Sequence, residues 1–348
     1  MSLFCVAPWF AREIDPIGRD TPCCLVPIGS DFDKIRETFL KNEWPKECTK
    51  CQILEQAGQT SDRQIRNSTL DFYWDQDIEV IREHAVSGNS EVRMLTLATS
   101  STCNSQCVTC GPHYSSSWRR LEKHTWRGPT SKISLIDLAY KLDLSKLITL
   151  NFVGGEPLYE RTNFAILEKL LEKNNKKVFV SMVTNGSVSL TEYQKDILRQ
   201  FPNLNFCVSI DGTKRLFEYM RYPLKWDNLL DNIKFLRTLT TNISASYTIS
   251  NVNIQMHNET ISWFKDNDIP YNYNRVTKPE YFNPSSLPAR AKQQLELSLT
   301  TQDYQALITT HNDQHDILFK EAVAELDRQD QLKGINRKDF LPAHSFFY

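Results

Sequence analysis

Residues 94–110 read Met-Leu-Thr-Leu-Ala-Thr-Ser-Ser-Thr-Cys-Asn-Ser-Gln-Cys-Val-Thr-Cys. Met94 to Thr99 have the apolar and β-branched make-up of a short strand, and three cysteines follow at once: Cys103, Cys107 and Cys110. Five more strand-like runs lie downstream, Leu147–Val153, Val178–Val183, Leu204–Ile210, Ile243–Ile249 and a weaker Tyr271–Val276. Helical spacing separates them: Phe164, Leu167, Leu170 and Leu171 precede the third run, and Leu229, Ile233, Leu236 and Leu239 the fifth. This alternation predicts βαβ units, a parallel sheet and an α/β fold. Six units suit a partial or full α/β barrel better than a sandwich. A small cysteine-rich element is expected before it and a polar helical tail after it, from Gln293 to Leu332.

Composition narrows the partners. The 348 residues carry 41 Lys+Arg against 42 Asp+Glu, a formal net charge of −1, which gives no general pull toward nucleic acid or an anionic membrane. At 40% hydrophobic and 11% aromatic the chain can bury a core. No window approaches the length of apolar residues a membrane span needs. The apolar start, Met1 to Phe10, lacks a basic flank, is broken by Pro8 and meets Arg12 and Glu13, so it does not read as a signal peptide, and a cytoplasmic location is expected. Nine cysteines, an odd number, argue against a disulfide framework and for metal or redox use.

Each predicted strand runs into a polar or glycine-containing stretch. The cysteine loop follows the first, Gly154-Gly155-Glu156-Pro157 the second and Thr184-Asn185-Gly186 the third; Ser209-Ile210-Asp211-Gly212 closes the fourth, and Thr248, Ser250 and Asn251 lie at the end of the fifth. Asn-Gly and Asp-Gly alone are ordinary turn chemistry. Their joint placement at strand C-termini is where α/β barrels build active sites. The C-x3-C-x2-C loop offers three thiolates to a cubane iron–sulfur cluster, leaving one iron open, whereas structural zinc closes with four ligands. A zinc site completed by His113 is the alternative.

This combination resembles the radical S-adenosylmethionine (SAM) superfamily over roughly residues 90–280. The resemblance implies a partial (β/α)6 core barrel of that type, with Cys103, Cys107 and Cys110 holding a [4Fe–4S] cluster. It implies that Gly154, Gly155 and Glu156 hold the methionine amino group of SAM, with Asn185, Ser209 and Asp211 also on the SAM side. It further implies reductive cleavage of SAM to a 5′-deoxyadenosyl radical that abstracts hydrogen from a peptide, protein or small-molecule substrate, in an oxidation or bond-forming modification. An electron donor such as flavodoxin or ferredoxin goes with that chemistry. One departure is Thr109, where the family often carries an aromatic residue near adenine. The alternative function is an inactive metal-stapled barrel with a binding or regulatory role.

The first sixth of the chain holds Cys5, Cys23, Cys24, Cys48 and Cys51. Cys5 and Cys23 enclose Gly18 as C-x12-G-x4-C, and Cys48-Thr49-Lys50-Cys51 is a C-x2-C pair. Four thiols so laid out suit zinc or a [4Fe–4S] cluster equally by ligand identity. The segment is similar to the auxiliary-cluster element of SPASM or twitch type that many radical SAM enzymes carry, but it stands before the barrel instead of after it. The resemblance implies an auxiliary [4Fe–4S] cluster on Cys5, Cys23, Cys48 and Cys51, with Cys23 preferred to Cys24 for its spacing after Gly18. Trp9, Trp44, Pro8, Pro22 and Pro45 would pack its loops. A division into 1–70, 90–280 and 281–348 follows, with the polar stretch Gln52–Asn67 as linker or surface helix.

The remaining candidates are weaker. Alternation places Cys207, Ser209 and Asp211 on one face, so Cys207 could be a lumen thiol, although a space-filling role is simpler. His113 and Tyr114 could line the site or cap a helix. Tyr159 and Glu160 read as helix-entry packing. His311 and His315 share a helix face at i, i+4 spacing without the Glu of a zinc-protease motif.

Overall fold

A computed structural model describes residues 3–15, 19–88, 91–124, 141–296, 312–342 and 345–347. Gly18 and His311 therefore lie outside the described residues. The chain divides into two units, one of Met1–Ser100, Arg127–Met182 and Leu190–Asn205, the other of Ser101–Trp126, Val183–Ser189 and Phe206–Tyr348. Among the described residues no helix is long and apolar enough to cross a membrane.

The first unit carries β1 (Ala11–Ile14), β2 (Asp20–Thr21), β3 (Met94–Ala98), β4 (Thr149–Val153) and most of β5 (Phe179–Thr184), in the spatial order β2-β1-β3-β4-β5. Only β2 runs antiparallel to its neighbour. The register pairs Ala11 with Met94, Met94 with Thr149 and Thr149 with Phe179. Period-two alternation explains the faces. Leu95, Leu97, Leu150 and Phe152 are buried, while Thr96 and Asn151 are half-buried on the other side, where Asn151 Nδ2 donates to Thr96 Oγ1 at 3.4 Å.

The N-terminal segment packs as α1 (Ala7–Phe10), α2 (Phe32–Leu40), α3 (Thr49–Gln56), α4 (Asp62–Trp74) and α5 (Ile78–Val86). The polar stretch Gln52–Asn67 is helical apart from a turn, because Ser61 and Gln64 form a reciprocal capping box that starts α4. Phe4, Trp9, Phe10, Ile35, Phe39, Leu70 and Ile81 share one apolar cluster with Cys5 and Cys23. From α4, Asn67 holds both sides of the extended start of the chain. Its Nδ2 donates to the Phe4 carbonyl at 2.8 Å and its Oδ1 accepts from Val6 N at 2.9 Å. The four-residue strand β1, Ala-Arg-Glu-Ile, was not foreseen; it is short and half charged, and its partner β3 lies some eighty residues away.

After β4 comes α7 (Arg161–Glu172), in which Phe164, Ile166, Leu167 and Leu170 are buried as the spacing predicted. The segment between β3 and β4 carries α6 (Ser116–Leu121), which belongs to the second unit. After β5 comes α8 (Glu192–Leu198), opened by a Thr191–Gln194 capping box.

In the second unit most of β6 (Leu204–Ser209), β7 (Ile243–Ile249) and β8 (Tyr271–Arg275) follow in parallel. Helices α9 (Lys214–Met220) and α10 (Trp226–Leu236) lead to β7, and α11 (His257–Asp266) leads to β8. Leu229, Ile233 and Leu236 form the buried stripe of α10. The strand–helix alternation of a partial (β/α)6 arrangement is thus present. The tail forms α12 (Ala289–Glu296) and α13 (Asp313–Lys333). His315 is accounted for locally, since it completes a capping box with Asn312 at the start of α13.

His257 sits 5% exposed in α11 with its ring stacked 5.7 Å from Tyr247, and burial pulls its pKa down to about 4. The unfolded chain, with an ordinary histidine, binds the extra proton between about pH 6.5 and 4. Stability is therefore full above that window and falls as pH drops through it, by on the order of 3 kcal/mol. His257→Gln should flatten this part of the Tm-against-pH profile.

Candidate active site

The cysteine loop in the second unit is held mainly by its backbone. Ser116 Oγ donates to the Cys103 carbonyl and accepts from Cys103 N, both at 3.1 Å. Ser115 Oγ donates to the Ser105 carbonyl at 2.7 Å, and Trp118 Nε1 to the Cys107 carbonyl at 3.0 Å. Two loop amides, Gln106 N and Val108 N, donate to the carbonyls of Tyr222 and Met220. Helix α6 and its N-cap Ser115, which the loop runs into, supply these three side-chain anchors.

The thiols of Cys103 and Cys107 are buried and flank the Ser105 hydroxyl at 3.1 and 3.4 Å. Cys110 is half-buried. Burial raises the Cys107 thiol, against which the Arg221 guanidinium acts, and it pushes Cys110 up to about 12 with Cys107 adding to the rise. Proton loss from these thiols needs a positive charge to replace the proton, which a metal supplies. Among the described residues no three His, Cys, Asp or Glu side chains already converge on one point.

Donors already surround the sulfurs. Asn185 Nδ2 lies 3.9 Å from Cys103 Sγ and donates to Asn104 Oδ1 at 2.8 Å, while Asn185 Oδ1 accepts from Ser187 N at 2.9 Å. Arg221 Nη1 lies 3.9 Å from Cys107 Sγ, and its Nη2 pairs with Asp211 at 2.8 Å. Its Nε is buried with no hydrogen-bond partner among the described residues. A buried cation with a spare N–H beside three thiols fits a negatively charged, sulfur-rich group. Asp211 is 1% exposed and both its oxygens are engaged, one by Arg221 and the other by Thr248 N at 2.9 Å. Ser209 ends β6, and Cys207 is half-buried on the face opposite Phe206 and Val208.

Gly154, Gly155 and Glu156 belong to the first unit. Gly154 has φ +109°, and a Cβ there would come 2.7 Å from the Ser100 carbonyl, which accepts from Gly155 N at 3.0 Å. Only glycine fits that approach. Gly154→Ala should destabilise the fold by about 1–3 kcal/mol, read by chemical denaturation. Glu156 is 1% exposed and its carboxylate accepts from Leu158 N at 3.1 Å, capping the turn Pro157–Tyr159.

In the N-terminal segment Cys5, Cys23 and Cys51 are buried, Cys48 is half-buried and Cys24 is exposed. Burial raises the Cys5 thiol, and the nearby Cys23 and Cys48 raise it further. Cys48 is pushed up to about 12 by burial and by Cys23 and Cys51. The structure thus brings Cys5, Cys23 and Cys48 within electrostatic reach of one another, with Cys51 reached through Cys48. Arg66 adds a buried cation near Cys23, paired with Glu13 and with Asp62 at 2.6 Å.

Of the weaker candidates, Glu160 caps α7 through Thr162 N, His113 packs its ring 5.7 Å from His124, and Tyr114 and Tyr159 are exposed. Arg221, Ser105 and Trp118 are the site residues that sequence reading missed. Two of them lie in or beside the cysteine loop but carry no motif, and Arg221 arrives from the end of α9.

Fold and site together define an α/β protein with a three-thiol loop after a core strand. No family model matches the chain, and no curated protein does. Solved structures match distantly. A structure of native anSMEcpe with bound AdoMet is 19% identical, covering 58% of this chain and 57% of its own, with a TM-score of 0.44. Streptococcus suis SuiB bound to the precursor peptide SuiA is 14% identical, covering 78% of this chain and 60% of its own, with a TM-score of 0.43. The chain therefore spans less than two thirds of the length of these proteins.

Proposed function

We propose that the protein is a radical SAM enzyme that modifies a peptide, a protein or a small molecule. The observation that carries this reading is the anchored loop presenting Cys103, Cys107 and Cys110, with a buried Arg221 beside it that has an unused donor. These residues would hold a [4Fe–4S] cluster. When bound, that group supplies the electron that cleaves SAM into methionine and a 5′-deoxyadenosyl radical, which takes hydrogen from the substrate. The chain's own part is to bind and orient. Gly154 and Gly155 let backbone approach a ligand without an intervening Cβ, and Glu156 offers a carboxylate for an ammonium group. Asn185 and Arg221 donate toward the sulfurs. Asp211 holds Arg221 in place, and with Ser209 it would stand on the SAM side as the resemblance implies.

Residues 1–70 are proposed as an auxiliary element in which Cys5, Cys23, Cys48 and Cys51 hold a second [4Fe–4S] cluster. The burial of Cys23 and exposure of Cys24 support choosing Cys23. Residues 90–280 would be the catalytic core and 281–348 a helical extension, with a flavodoxin- or ferredoxin-like protein as electron source. The test is anaerobic reconstitution with iron and sulfide, then SAM and dithionite. About eight irons per chain and release of 5′-deoxyadenosine are expected. A chain that takes up only zinc, or leaves SAM intact, would sink the proposal.

A further inference from the structure

The last turn of α13 brings a second buried cation to the cysteine loop. Lys333 is 8% exposed, and its Nζ lies 4.8 Å from the centre of the Trp118 ring and 6.0 Å from that of Tyr222. Both aromatic residues hold the loop. Trp118 Nε1 donates to the Cys107 carbonyl, and the Tyr222 carbonyl accepts from Gln106 N at 2.6 Å. One turn back on α13, Gln329 Nε2 donates to the Val108 carbonyl at 3.0 Å, while Gln329 Oε1 accepts from Lys333 Nζ at 3.1 Å. The ammonium is thus tied to the backbone on both sides of Cys107.

Among the described residues no carboxylate pairs with this ammonium directly, although Asp330 and Glu325 act on it through space. Asp330 is taken by Arg337 at 2.8 Å and by the Tyr219 hydroxyl at 2.9 Å, and Glu325 by Arg328 at 2.7 Å. A buried ammonium whose polar partners are a neutral amide and two ring faces is costly. Burial pulls its pKa down to about 8, and Cys107 is the strongest influence holding it up. Three thiolates around a cubane give the oxidised group about one net negative charge, and reduction adds another. A fixed cation behind the loop stabilises the reduced form more than the oxidised one.

We infer that Lys333 is the fixed counter-charge of the group held by Cys103, Cys107 and Cys110, and that it raises that group's reduction potential. The inference rests on the cluster reading above and adds a tuning residue from outside the proposed barrel. Lys333 acts through the charge of that group, so it is a positioning residue.

The test uses the full chain, reconstituted anaerobically and titrated with dithionite while electron paramagnetic resonance follows the reduced cluster. Cys5, Cys23, Cys48 and Cys51 are replaced by Ser in every sample, so that only the loop's cluster reports. Lys333→Met should move the midpoint to a more negative potential. Lys333→Arg, which keeps the charge, should stay near the parent value. Lys333→Gln keeps a donor for Gln329 without the charge; it should shift as Met does, and it decides the matter if the Met variant does not fold. Unchanged midpoints in Met and Gln variants that carry the cluster would overturn the role of Lys333 alone. A shift in Arg equal to that in Met would show a packing role and overturn it too. A parent chain that assembles no cluster on the loop would remove the reading beneath it.

Discussion

Replacing Cys103, Cys107 and Cys110 together by Ala is expected to lower the iron of the reconstituted chain from about eight to about four and to abolish 5′-deoxyadenosine formation. The two readouts separate the two thiol sets. The loop is anchored through Ser115, Ser116 and Trp118, none of which bonds through a cysteine sulfur, so the apo fold should survive the substitution with little change in Tm. Replacing Cys5, Cys23, Cys48 and Cys51 should leave the other four irons. Iron that stays at about eight in the loop variant would show that the loop holds none, and the function built on it would fall.

The second large effect is at Arg221. Arg221→Met leaves Asp211, 1% exposed, with a buried carboxylate that has lost its ion partner. Breaking one side of such a pair costs about 3–5 kcal/mol. Thr248 N still bonds one oxygen, so the loss should fall toward the lower end. Urea denaturation measures it. The double variant Arg221→Met, Asp211→Asn should recover part of the loss, because it removes the stranded charge. If the double variant were as unstable as the single one, the pair would not be the source of the effect.

Much of this was legible along the chain because the signals are local. The runs from Met94, Val178, Leu204 and Ile243 became strands within a residue or two, since each alternates its faces and stops at a polar turn. Leu147 and Ile148, expected in the second strand, instead follow a 3-10 turn at Leu144–Lys146, with β4 beginning at Thr149. Two kinds of feature escaped. Strand β1 is too short and too charged to stand out, and it exists because β3 offers it a ladder. Arg221 and Lys333 carry no motif; each reaches the loop by tertiary packing from more than a hundred residues away. Asp211 was visible as a residue but not in its engagement, since its partner Arg221 was not.

The pairing of β1 with β3 has a practical consequence for dissecting the molecule. A fragment that begins at the first predicted barrel strand would uncover the backbone of Met94 to Leu97 along a whole ladder. A bare parallel edge is a template for other chains. The N-terminal segment is thus a self-supplied edge guard, and isolating the core means supplying another strand in its place.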